Sequence, residues 1–305
     1  RRPAAAAAAP PREESGPWAR AVFVGRVAIE AVRHFATTDA TVLAGHIAYT
    51  MLFALFPFLI FLTTVGGFLG QDEAVLDFVE FVLRTVPPEV SDVLARPVHE
   101  ILDRPRPGLL TLSILVALWV ASSGFEALRV GLNEAYEVDA PRALWWDRLQ
   151  SFAFTLLLAV AIVAAMISIV AGPLIWALLQ WVLDVPQLWR LLYGAVRYAL
   201  GIGVLLAVIW ALYYFLPNKP MRKRDAMPGA VVAVALWIGA ASLFSLYLQN
   251  LANYSITYGS LGGIVVSLFF FYVSAAVFIF GAEVNAAIRR LADRREAPPD
   301  PGAIT

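Results

Sequence analysis

Between Asp225 and Glu283 lie 57 consecutive residues without an acidic or basic side chain. As one helix, at about 1.5 Å per residue, they would reach roughly 85 Å. A bilayer's hydrocarbon core is only about 30 Å thick. The stretch therefore reads as two membrane spans and a turn. The turn is the polar but uncharged segment from Gln249 to Gly259. A barrel is excluded, because the run lacks the period-2 alternation of strands about 10 residues long.

Four more apolar runs follow the same logic. One lies between Asp39 and Asp72, with Pro57 near its middle predicting a kink. Another lies between Arg106 and Glu126. A third runs from Arg148 to Asp184, with Gly172-Pro173 as a break, and a fourth from Leu191 to Leu216, with Arg197 inside it. The sum is an all-α membrane protein with six transmembrane helices. Composition agrees: 60% of the residues are hydrophobic and 15% charged, against roughly 45–50% and 25% in soluble domains. That balance rules out a secreted globular enzyme, a disordered chain and a nucleic-acid-binding domain. With no Cys in the chain, disulfides, thiolate metal sites and cysteine nucleophiles are excluded.

The formal net charge is zero, yet 17 of the 23 basic residues fall in alternate segments that include both ends of the chain. Basic residues favour the cytoplasmic side, so both termini are expected there. Residues 1–17 read as a disordered Ala/Pro/Arg tail. Residues 18–38 read as an amphipathic helix at the inner interface, arginines toward anionic lipid; packing on the bundle is the other reading. Residues 39–290 form the membrane domain, and 291–305 a cytoplasmic tail. Within the domain, 72–106 carry two amphipathic patterns divided by Pro87-Pro88. They predict a helical outer cap between spans one and two.

Signatures of chemistry are sparse. Phosphate-loop, dinucleotide and His-Glu-x-x-His patterns are absent. His34, His46 and His99 stand apart from one another, so no metal site, cofactor or catalytic residue is expected. His46 and Glu283 fall near the inner edge of the first and last spans, where a structural role outweighs a proton relay. Glu283 is expected beside Asn285, Arg289 and Arg290. Arg197 is a candidate anion contact if it faces the bundle. Glu126 and Arg129, three residues apart, are placed to pair. Gly66/Gly70 and Gly259/Gly263 have the spacing for close helix approach.

An ordered set of motifs then resembles one family. The set opens with Ala48-Tyr49-Thr50-Met51-Leu52-Phe53-Ala54-Leu55-Phe56-Pro57. It continues with Leu132-Asn133-Glu134-Ala135-Tyr136, Tyr213-Tyr214-Phe215-Leu216-Pro217-Asn218 and Pro228-Gly229-Ala230. It closes with Asn253-Tyr254, Thr257-Tyr258-Gly259-Ser260 and Gly281-Ala282-Glu283-Val284-Asn285. Together these resemble the YihY/BrkB family of bacterial inner-membrane proteins over roughly residues 20–290. The resemblance implies a six-helix inner-membrane protein. It also carries an old ribonuclease label, which the residues do not support.

The expected function is transport or handling of a lipid or small solute, with Tyr49, Pro57, Asn253, Tyr254, Tyr258 and Glu283 as pathway or hinge residues. The alternative is a non-transporting scaffold or envelope-integrity protein that binds partners. Membrane lipids are the expected partners, nucleic acid is not, and a homo-oligomer is allowed. A polar cavity at mid-bilayer would favour transport, and a solid apolar interior a scaffold.

Overall fold

The computed structural model describes residues 17–68, 110–138, 143–161, 187–218, 221–250 and 260–296. Among the described residues the regular structure is all helical. In chain order the helices are α1 (Pro17–Thr37), α2 (Ala40–Phe68), α3 (Leu110–Ala121) and α4 (Ser123–Ala135). A segment described over 144–161 follows as α5. Then come α6 (Gln187–Phe215), α7 (Met227–Asn250) and α8 (Ser260–Glu296).

Among the described residues three stretches are long and apolar enough to cross a membrane: Leu115–Ala135, Met227–Tyr247 and Gly263–Arg294. Ala40–Leu55, within α2, and Ala199–Phe215, within α6, are shorter apolar stretches. The first of the three joins α3 and α4 across Ser122. There the Ser122 Oγ donates to Trp119 O at 2.8 Å, and the Ser123 Oγ to Val120 O at 2.6 Å. Such back-bonding competes with the helix ladder and bends it. The 72–106 cap and the 251–259 turn lie outside the described residues.

Helix α8 is the hub. It packs on α1, α2, α4 and α7. Alanines line the seam: Ala40 and Ala44 of α2, Ala127 and Ala135 of α4, Ala230 and Ala233 of α7, and Ala275 and Ala282 of α8 are all buried. In lipid the tails are as apolar as the helix faces, so association relies on close backbone approach, which small residues allow. Larger groups, among them Ile47, Leu132, Tyr213 and Ile279, fill the remaining space.

The tightest crossing joins α7 to α8. A Cβ added at Gly229 would collide with the Gly281 carbonyl and come within 2.6 Å of the Asn285 side chain. One added at Gly281 would come within 2.7 Å of Ala233 Cβ. Here only glycine fits.

Candidate functional site

Glu283 and Asn285, two of the buried polar side chains among the described residues, mark one end of the bundle. Glu283, on α8, is fully buried, and its Oε2 lies 2.9 Å from His34 Nδ1 and 3.2 Å from an Arg290 nitrogen. Glu137 closes the cluster. Its Oε1 lies 2.6 Å from Arg290 and 3.3 Å from His34 Nε2. Both ring nitrogens of His34 thus face carboxylate oxygens, and Arg290 bridges the same two acids. Among the described residues Glu283 Oε1 has no hydrogen-bond partner.

Glu137 reaches this position through an unusual backbone. It follows the end of α4 with φ at 53°. The Glu137 N–H donates to Glu134 O at 3.0 Å, and the Val138 N–H to Asn133 O at 2.8 Å. That pair of bonds defines a Schellman cap, whose left-handed residue is usually glycine. A glutamate there carries steric strain of about 1–2 kcal/mol, and its side chain joins α4 to α1 and α8.

A neutral cluster sits alongside. The Gly229 N–H donates to Asn285 Oδ1 at 2.6 Å. Asn285 Nδ2 donates to Ala226 O at 3.2 Å and to the Tyr136 hydroxyl at 3.4 Å. Tyr213 donates to Phe278 O at 2.6 Å, a carbonyl on the same seam. The Asn218 N–H donates to Asn133 Oδ1 at 2.9 Å. Motifs up to 149 residues apart in sequence thereby meet in one knot.

Arg129 ties the third corner. Its guanidinium donates to Leu216 O at 3.3 Å, Asp147 O at 2.8 Å, Gln150 Oε1 at 3.3 Å and Ser151 Oγ at 3.0 Å. The expected Glu126–Arg129 pair is not what forms. Glu126 pairs instead with Arg148, whose guanidinium lies 3.8 Å from the centre of the Trp119 ring. Arg129 instead satisfies the Leu216 carbonyl, left without a helical partner just past the end of α6, and holds the first turns of α5.

The sequence-expected residues divide. Glu283 and Asn285 are in the knot, and so is Arg290; Tyr49 is not. Tyr49 is exposed and packs on Phe53, ring centres 4.5 Å apart. Pro57 lies inside α2 and is half-buried. His46 is exposed. Arg197 belongs to α6, but its side chain lies outside the described residues, as do Asn253, Tyr254 and Tyr258. Sequence reasoning missed His34 as the partner of Glu283, Glu137 as a member of the cluster, and the close packing at Gly229 and Gly281; Gly70 and Gly259, of the glycine pairs it named, lie outside the described residues. Gly229 and Gly281 both stand in the family-like motifs, which was the available signal.

Away from the knot, α7 and α8 together line an open cavity of about 550 Å³. Its walls are apolar and aromatic, with Trp237, Phe244, Tyr247, Phe269 and Phe270 prominent. One polar pair breaks the lining, Trp237 Nε1 donating to Ser274 Oγ at 3.1 Å. The cavity is lined by two of the three stretches long enough to span a membrane, Met227–Tyr247 and Gly263–Arg294.

Comparison with known proteins bears on this arrangement. The family model described as "Virulence factor BrkB" matches residues 31–304. A Bacillus subtilis (strain 168) protein named ribonuclease-like protein YfkH is 37% identical over 258 residues, covering 84% of this chain and 92% of its own. A "UPF0761 membrane protein" of Alteromonas mediterranea is 25% identical, covering 87% of this chain and 88% of its own. Another, from Aliivibrio salmonicida, is 27% identical over 262 residues. No solved structure matches.

Proposed function

Because the chain belongs to the BrkB family of bacterial membrane proteins, we propose that it handles an amphiphilic molecule, a lipid or a lipid-like solute, within the bilayer. The observation that carries this reading is the cavity between α7 and α8. An apolar space of about 550 Å³ suits a hydrocarbon chain, because burying apolar surface is favourable and non-directional. Among the described residues the lining has no charged side chain, which argues against an ion or a hydrophilic solute as cargo. The polar knot closes the bundle at the other end and gives the moving parts a fixed anchor.

We place that closed end at the cytoplasmic side of the inner membrane, with both termini there and six spans in all. Exposed Arg222, Lys223 and Arg224 share the end with Arg290 and Arg294, the bias expected of inner loops. The protein acts without catalysis in this reading. The ribonuclease-like name of the Bacillus relative supplies the rival, and incubation of the pure protein with RNA and Mg²⁺ should release no fragments above a protein-free control.

The scaffold reading also has an observation behind it. The knot end is packed tightly around Gly229, Gly281 and Tyr213.

Reconstitution separates the two. Vesicles holding the protein should exchange labelled phospholipid between leaflets faster than protein-free vesicles. Ala241→Trp, which fills the cavity, should return the rate to background. Equal rates with and without protein would favour the scaffold.

A further inference from the structure

Helix α1 has two apolar faces, and the bundle covers one of them. Val27 and Ala31 are buried against Val284 and Ala287 of α8, and Phe35 meets Phe280 edge-on at 5.8 Å. At about 100° per residue, Trp18, Val22, Gly25, Ile29, Val32 and Ala36 fall on one line along the opposite side. All six are exposed, Trp18 at 77% and Ile29 at 70%. Polar groups occupy a narrow strip between the two faces: Arg26, Glu30, Arg33 and Thr37.

Water is a poor neighbour for the outward stripe. An unbroken apolar line of this length marks a surface that something else covers. The rotation of α1 is fixed by the His34–Glu283 contact at 2.9 Å and the Glu30–Arg294 pair at 3.5 Å, so the stripe cannot turn inward.

We propose that α1 is an interfacial helix whose outward stripe is sunk among the acyl chains of the leaflet at this end of the bundle. Three observations choose lipid as the occupant. Only Thr38 and Asp39 separate α1 from α2, so the helix stays beside the membrane segment it leads into. Exposed Val42, at the start of α2, continues the apolar surface. Exposed Arg26 and Arg33 flank the stripe, where they meet anionic headgroups while the apolar face dips below them. The inference concerns an anchoring surface and stands whether or not the protein moves lipid.

The absence of native cysteine makes the test direct. Single cysteines at Val22, Ile29 and Arg26 of the full chain are labelled with an environment-sensitive fluorophore and reconstituted in phosphatidylethanolamine/phosphatidylglycerol vesicles. Doxyl-labelled lipid should quench the labels at 22 and 29 several-fold more than the label at 26, with aqueous iodide giving the reverse order. Iodide quenching of 22 and 29 equal to that of 26 would overturn the proposal and put the stripe in water. Energy transfer between protomers at 22 and 29, without doxyl quenching, would overturn it in favour of a second copy. Because the labelled positions are exposed, thermal unfolding of each variant should match the parent, which keeps loss of folding apart from loss of contact.

Discussion

Glu137 and Glu283 share one guanidinium. Arg290 donates to Glu137 at 2.6 Å and to Glu283 at 3.2 Å, and His34 faces both acids from the other side. The four groups come from α1, the end of α4 and α8, so three segments are joined at one point.

The two acids are not equivalent. Glu283 is fully buried, whereas the Glu137 side chain is 61% exposed. Removing one partner of a buried ion pair costs about 3–5 kcal/mol, and the low end applies here because Arg290 keeps its pair with Glu137. Glu283→Ala should therefore lower stability by about 3 kcal/mol, and Glu283→Gln, which keeps a hydrogen-bonding group, by less. Thermal unfolding in detergent measures both. An unchanged midpoint for Glu283→Ala would show that the cluster holds nothing together.

Glu137 gives the opposite expectation. Its left-handed backbone costs about 1–2 kcal/mol, and an exposed ion pair returns only about 0–1 kcal/mol. Glu137→Gly should leave stability unchanged or raise it by up to about 1 kcal/mol. Glu137→Val, β-branched at positive φ, should lower it. The ordering of the three melting temperatures checks the claim: glycine at or above the parent, valine below.

The α7–α8 crossing should tolerate no added carbon. Overpacking costs typically about 1–3 kcal/mol, and at Gly229 the opposing group is backbone, which cannot swing aside. Gly229→Ala should reduce the yield of folded, monodisperse protein, while Gly239→Ala, in open space on the same helix, should not. Size-exclusion profiles of the two variants make the comparison.

Arg129 serves four acceptors in two segments, α5 and the end of α6, from a planar fork, which a lysine cannot reproduce. Arg129→Lys should lower stability by about 2 kcal/mol despite keeping the charge. Parental stability in that variant would mean that charge alone suffices.

Much of this architecture was legible in the sequence, and the reason is solvent. Lipid forces helices, and charge-free length counts them, so α2, α7 and α8 stand out from Ala40, Met227 and Ser260 onward. The helix at 17–37 follows from the spacing of Val22, Phe23, Val27 and Ile29. Tertiary pairing was not legible. Nothing local to His34 points to a carboxylate 249 positions away, and the i,i+3 rule that suggested Glu126–Arg129 says nothing of Arg148. The strained cap at Glu137 was hidden because its type favours no such backbone. Glu283 was singled out by a charge ending a long apolar run, which is a signal of burial rather than of a task. Asn253, Tyr254 and Tyr258 lie outside the described residues, so their role rests on the sequence alone.

The account turns on whether the space between α7 and α8 takes a lipid chain. Phosphatidylglycerol bearing a diazirine in its acyl chain can be photolysed in vesicles holding the protein, and the adducts mapped by mass spectrometry. Adducts should concentrate on residues 237–247 and 265–274, and Ala241→Trp should remove them while sparing adducts elsewhere. Labelling spread evenly over the outward helix faces and indifferent to Ala241→Trp would contradict the account.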